Sequence, residues 1–241
     1  MTRQTHQNTP SALITGASRG LGLALATALA ERGWDLVVDA RDADALGRTS
    51  RQLGSRAIAI TGDVTDPAHR DALLVAVREL GHLDLLVNNA STLGASPLPL
   101  LVDLTPEDMR RILETNVVAP FALIRGLAPY LSGPRATVVN LTSDAAIEPY
   151  ETWGGYGASK AALDQLTAVF AAERPSLAAY AFDPGDMRTQ MHQDAFPGED
   201  ISDRPKPDSV VPTLLHLIDQ RPTSGRYRAA DPGLREQEGV R

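Results

Sequence analysis

The chain has 241 residues, of which 43% are hydrophobic and 22% charged, a size and balance that one α/β domain fills around a single core. Its net charge of −7 argues against a basic surface for nucleic acid, and the absence of cysteine excludes disulfides, thiolate nucleophiles and thiolate metal sites. The five histidines, His6, His69, His82, His192 and His216, follow no ligand spacing, so they read as solvated surface groups and no metal is expected.

Residues 1–10, MTRQTHQNTP, contain no apolar stretch of the kind a secretion signal needs and read as a flexible lead. No later run reaches the roughly 18 apolar residues of a membrane span, so a cytoplasmic protein without membrane partners is expected. Strands are predicted at 11–15 (SALIT), 34–39 (WDLVVD), 57–61 (AIAIT), 84–88 (DLLVN), 136–141 (ATVVNL), 177–182 (LAAYAF) and 226–229. Helices are predicted between them at 21–32, 42–53, 67–80, 106–130, 156–173 and 207–220, several opening on Pro or Asp. This alternation is the pattern of repeated βαβ units. It predicts a doubly wound, Rossmann-type α/β fold: one domain over 11–230, with a seven-stranded parallel sheet and helices on both faces. The stretch 187–207, rich in charge, Pro and Gly, reads as a substrate lid, and 231–241 as a flexible tail.

The first strand runs into Thr15-Gly16-Ala17-Ser18-Arg19-Gly20-Leu21-Gly22 and then an alanine-rich helix. A strand, a glycine turn and a helix opening gather backbone N–H groups at one point, where a dinucleotide pyrophosphate fits. The spacing is G-x-x-x-G-x-G rather than G-x-G-x-x-G; Gly20 and Gly22 let the backbone approach the phosphates. After the second strand, Asp39-Ala40-Arg41-Asp42 offers both an acid for a free ribose 2′-hydroxyl and an arginine for a 2′-phosphate. Arg41, with Arg19 in the adjacent turn, favours NADP(H), while NAD(H) stays open. Asp63-Val64 and Asn88-Asn89-Ala90 end the third and fourth strands on the ligand-binding edge. Asp63 suits the adenine amino group, Asn88 a brace between strands, and Asn89-Ala90 a path beneath the nicotinamide ribose.

Tyr156 and Lys160 stand one helical turn apart on one face, an arrangement in which the ammonium lowers the phenol pKa for proton transfer. Ser143, at the end of the fifth strand, is placed to hold a carbonyl oxygen beside Tyr156. Asn116, a polar residue inside a long apolar helix, either caps a local kink or holds a water that relays protons from Lys160.

These motifs, TGASRGLG at 15–22, DV at 63–64, NNA at 88–90, Asn116, Ser143, YGASK at 156–160 and PGDMRT at 184–189, resemble those of the short-chain dehydrogenase/reductase family in its compact single-domain form, in order and spacing over residues 11–230. The resemblance implies a catalytic tetrad of Asn116, Ser143, Tyr156 and Lys160, with Tyr156 and Lys160 also against the nicotinamide ribose. It implies cofactor contacts from Gly16, Ser18, Arg19, Gly20, Leu21, Gly22, Arg41, Asp63, Val64, Asn89 and Ala90, and closure over the nicotinamide by Pro184, Gly185, Met187 and Thr189. Homodimers or homotetramers, built from the long helix around Asn116 and the helix of Tyr156, are the family habit. Two residues depart from the pattern: Ser91 replaces a glycine after NNA, and Asp183 precedes Pro-Gly where a small residue is usual. The segment after Glu173 is also short.

Reduction of a ketone or aldehyde with NADPH, or the reverse, is therefore expected on a small-molecule substrate. Glu148, Tyr150, Glu151 and Trp153, with Met187, Met191, His192 and Phe196 of the lid, are expected around a mainly apolar substrate carrying an amine or hydroxyl. The alternatives are an NAD-dependent alcohol dehydrogenase, a nucleotide-binding regulator without chemistry, and a nucleotide-sugar epimerase or dehydratase.

Overall fold

The computed structural model describes residues 9–234, so most of the predicted lead and tail, and His6 with them, lie outside it. Seven strands, β1 (Ser11–Ile14), β2 (Asp35–Ala40), β3 (Ala57–Thr61), β4 (Leu85–Asn88), β5 (Thr137–Leu141), β6 (Ala178–Asp183) and β7 (Gly225–Arg228), form one parallel sheet in the order β3-β2-β1-β4-β5-β6-β7. Parallel strands are buried on both faces, which is why they read as nearly unbroken apolar runs.

The two faces separate cleanly by residue parity. Ala12, Ile14, Leu36, Val38, Leu85, Val87, Val139, Leu141, Tyr180 and Phe182 point to one face, under α1 (Gly20–Glu31), α2 (Ala43–Leu53) and α8 (Val211–Gln220). Leu13, Val37, Leu86, Val138 and Ala179 point to the other, under α3 (Pro67–Leu80), α5 (Ala119–Leu127) and part of α6 (Gly154–Glu173). Helix starts follow elementary capping: Asp42 accepts from the Ala45 N–H, Asp66 from Ala68, and Thr105 from Asp108 at the head of α4 (Pro106–Leu113). Among the described residues no helix is long and apolar enough to cross a membrane.

The predicted single helix at 106–130 is interrupted. Residues Glu114–Val118 form a π-turn between α4 and α5, and regular α-helix ends at Leu127. Pro120 contributes by bringing no N–H to the turn below it. The 187–207 stretch also contains regular structure, α7 (Gln190–Ala195), capped by Thr189.

The histidines are not all solvated. His69 is buried at 6% exposure with Nε2 2.9 Å from Asp39 Oδ2, and the side chain of His192 is only 9% exposed. Sequence spacing carried no sign of this, because the partner of His69, on α3, lies 30 residues away on β2.

Asn88 is a strand brace, as expected: its Nδ2 donates to Asn140 Oδ1 at 2.7 Å, and Asn140 Nδ2 donates to Thr167 Oγ1 at 2.7 Å, joining β4, β5 and α6 inside the core. Asn140→Ala strips partners from two buried polar groups at once. It should lower unfolding free energy by about 3 kcal/mol, measured by urea denaturation.

Candidate active site

A cleft of about 1380 Å³ runs along the carboxyl ends of the strands, at the point where strand order reverses between β1 and β4. This is where open α/β sheets bind ligands. Of the predicted site residues, all but Gly22 and Asn116 line it.

Its floor is a stitched turn. Thr15 Oγ1 accepts from the N–H groups of Asn89 and Ala90, both at 3.0 Å, while Asn89 Nδ2 donates to the carbonyls of Thr15 at 2.8 Å and Gly16 at 3.1 Å. Gly16 takes φ +67°, and its N–H donates to Asp39 Oδ1 at 2.7 Å. Gly22 lies beneath: a Cβ there would stand 2.5 Å from Asn89 Nδ2 and 2.6 Å from the Gly16 carbonyl, so a side chain would push the turn into the cleft. The first N–H groups of α1 have neither a side-chain cap nor an acid in the first turn. An uncapped helix start under a glycine turn fits a pyrophosphate. Thr189 of the lid comes up against this turn, its Cγ2 3.6 Å from where a Gly20 Cβ would sit.

The ambiguity of Asp39 against Arg41 is resolved by hydrogen bonding. Both Asp39 oxygens are occupied, one by the Gly16 N–H and one by His69, and the residue is 1% exposed. It anchors the glycine turn. Arg41, with its side chain 70% exposed, stands 3.9 Å from Asp63 Oδ2, and Arg48 of α2 lines the cleft as well. Asp63 Oδ1 accepts from the N–H and hydroxyl of Thr65, which leaves Oδ2 for other partners.

At the other end, Tyr156 and Lys160 emerge from α6, with Nζ 5.4 Å from the centre of the phenol ring and donating to the Leu141 carbonyl at 2.7 Å. The hydroxyls of Ser143 and Ser91 act on the phenol by lowering its pKa against the larger effect of burial. Ser143 caps a short 3₁₀ turn, its Oγ accepting from the Ala145 N–H at 3.2 Å and donating to Asp144 Oδ1 at 3.0 Å. Asn116 sits below. Its Oδ1 accepts from Ser91 Oγ and the Thr92 N–H, and its Nδ2 donates to the Thr92 carbonyl and Ser159 Oγ. Those four bonds use the whole capacity of the amide, so its side chain has none left for a relay water.

Expected pKa directions are partly reversed. Burial, and then the charge of Asp183, push the Tyr156 phenol well above its ordinary value, where the sequence predicted a downward shift from Lys160. Burial also pushes the Lys160 ammonium down to about 8. Desolvation dominates both, because each group is largely withdrawn from water.

The pocket wall differs from expectation too. Trp153 lines it and packs edge-on against Tyr156 at 5.6 Å, with Leu93, Met191, His192 and Ala195 alongside. Phe196 instead backs Trp153 at 5.9 Å and His192 at 4.9 Å from outside the lining. Glu148, Tyr150 and Glu151 do not line the cleft; its carboxylates at this end are Asp144, Asp183 and Asp186. Residues that sequence reasoning missed are Thr15, the anchoring role of Asp39, Arg48 and Arg226. Ser91 was visible only as an unusual residue. Arg226 carried no signal, since it reaches Ser143 across 83 residues of chain.

The depressed Lys160 pKa has a thermodynamic consequence. Between about pH 8 and the ordinary 10.5, the unfolded chain holds a proton on Lys160 that the folded chain has released, so stability rises with pH across that window. Urea unfolding without cofactor should show wild type gaining about 2 kcal/mol relative to Lys160→Met between about pH 7.5 and 9.5. Working below pH 10 keeps the tyrosines out of the difference.

Comparison with known proteins agrees with this geometry. The family model for short chain dehydrogenase matches residues 10–200. Sepiapterin reductase of Meriones unguiculatus is 36% identical over 197 residues, covering 75% of each chain. A short chain dehydrogenase structure from Pseudomonas syringae superposes with a TM-score of 0.85 at 30% identity, over 91% of this chain and 94% of that one. Another from Shigella flexneri 2a, complexed with NADP, gives 0.84 at 25% identity, over 93% and 98%. The chain belongs to the short-chain dehydrogenase family, oxidoreductases of the C–OH/C=O pair.

Proposed function

We propose that this protein is an NADPH-dependent carbonyl reductase in which Tyr156 is the proton donor. The observation that carries the reading is the buried phenol of Tyr156 at the end of a dinucleotide-shaped cleft, with Lys160 and Ser143 lining the same end; burial and the charge of Asp183 favour its protonated form. A protonated phenol is the form that reduction consumes, whereas alcohol oxidation needs the phenolate. The sepiapterin reductase relative supports the same direction.

A nicotinamide cofactor, when bound, supplies the hydride. The glycine turn and the open start of α1 would hold its pyrophosphate, Arg41 its 2′-phosphate, Lys160 its nicotinamide ribose, and Pro184, Gly185, Met187 and Thr189 would cover it. The chain's own groups manage the oxygen. Ser143 Oγ and the Tyr156 hydroxyl orient the substrate carbonyl, and Tyr156 passes its proton to that oxygen as the alcohol forms. The Lys160 ammonium then stabilises the phenolate left behind. The Asn116 amide, fully engaged in four hydrogen bonds, braces the loop after β4 against α6 beneath this pair. Leu93, Trp153, Met191 and Ala195 suit an apolar body next to the reacting carbonyl.

Exposed Val118, Phe121 and Val169, on the π-turn, α5 and α6, support a homodimer or homotetramer built from these helices. The composition supports a cytoplasmic setting.

Tyr156→Phe should lower NADPH-dependent carbonyl reduction about a thousandfold, while NADPH affinity by calorimetry stays near wild type. Retained turnover in that variant would remove the proposed proton donor. Arg41→Ala should weaken NADPH binding roughly 10- to 100-fold and leave NADH nearly unchanged. A wild-type protein that binds NADH more tightly than NADPH would overturn the assignment of Arg41.

A further inference from the structure

We propose that Arg226, on the edge strand β7, is a positioning residue for the proton-transfer site: one guanidinium holds the Ser143 backbone, Asp183 and Asp164 together and sets the charge that Tyr156 and Lys160 face. This inference rests on the reading of Tyr156 as proton donor.

Three contacts define it. Arg226 Nη2 donates to the Ser143 carbonyl at 2.9 Å and to Asp183 Oδ2 at 3.0 Å, and Nε donates to Asp164 Oδ2 at 3.1 Å. The register explains why one side chain reaches all three. Arg226 pairs with Ala181 on β6 and shares the face of Ala179, opposite Tyr227, which packs on Tyr180. That face carries α6, where Asp164 follows Lys160 by one turn. Each contact belongs to a different part of the site. Ser143 bears the orienting hydroxyl. Asp183 Oδ1 accepts from the Gly185 N–H at 3.0 Å and so shapes the Pro184-Gly185 turn, and Asp164 extends the helix of the Tyr156/Lys160 pair.

Charge counting supports more than a structural tie. Asp183 is 4% exposed, and the Asp164 side chain 17%. With Arg226 and Lys160 the four charges cancel; without Arg226 the cluster carries one net negative charge under a phenol. Groups facing Tyr156 from the surrounding elements are Lys160 on its own helix, Asp144 after β5, and Asp183 on β6. The pair of Asp186 and His192, 3.8 Å apart, belongs to the lid segment. After burial, the charge of Asp183 weighs most on the phenol, and Arg226 is its only side-chain partner among the described residues. Bidentate reach and a permanent charge explain why arginine occupies this place.

The test is the pH dependence of kcat/KM for NADPH-dependent reduction, where activity falls as Tyr156 loses its proton. Arg226→Met should move that falling limb up by about one unit, Asp183→Asn should move it down, and the double variant should bring it back toward wild type. Arg226→Lys should restore the limb but not the full kcat, because one ammonium cannot hold Ser143 and both acids. Limbs unmoved in folded Arg226→Met and Asp183→Asn proteins that bind NADPH normally overturn the proposal. If Arg226→Met does not fold, Asp183→Asn decides alone: a downward shift supports the proposal and an unmoved limb overturns it. Tyr156→Phe separates the two readings: activity in that variant removes the proton donor itself, whereas an inactive variant with unmoved limbs elsewhere removes only the role of Arg226.

Discussion

The ends of β1 and β4 run side by side and then part, one into α1 and the other toward the loop before α4, and the site depends on how that parting is held. Thr15 Oγ1 and Asn89 Nδ2 between them make five hydrogen bonds across the gap. Backbone groups that leave a sheet in a buried crevice must find partners, because an unpaired one costs free energy comparable to a lost hydrogen bond. Here two short side chains supply those partners and occupy little space, so the turn stays thin enough for a ligand to lie on it. Asp39 completes the arrangement from β2 by accepting from the Gly16 N–H while resting on His69.

The Tyr156 end of the cleft obeys a different physics. Tyr156, Lys160, Asp164, Asp183 and Arg226 are withdrawn from water to different degrees, and burial drives the phenol up and the ammonium down before any neighbour acts. Charges so placed persist only when paired and hydrogen-bonded. Lys160 leans on a main-chain carbonyl, and the two aspartates share one guanidinium. Asn116 contributes rigidity from beneath, tying the loop after β4 to α6 through Thr92 and Ser159.

Much of this was legible in the chain. Apolar runs of four to six residues separated by helical patterns reported a parallel sheet because both faces of such a sheet are covered, and the observed strands lie within a residue or two of their predicted places. The glycine turn, Ser143 and the Tyr156/Lys160 pair were legible for a related reason: their geometry is local, set by a strand end, a tight turn or one helical turn. The π-turn was not, because its cause combines Pro120 with buried bonds from Asn116 to residues more than 20 positions away. Nor was the inward orientation of Asp39, since alternation along β2 says which residues share a face but not which acid finds a buried partner.

The sequence by itself determined the sheet, its order of elements and the residues at the strand ends, through periodicity and short-range turn chemistry. The tertiary structure alone decided the surroundings of those residues: that Asp39 is spent on the glycine turn and Arg41 is left facing outward, that burial pushes the Tyr156 phenol up against the expected pull of Lys160, and that Asp183 meets Arg226. Each of these depends on burial and on partners from 23 to 43 residues away, and neither desolvation nor a long-range contact has a periodicity that a single chain displays.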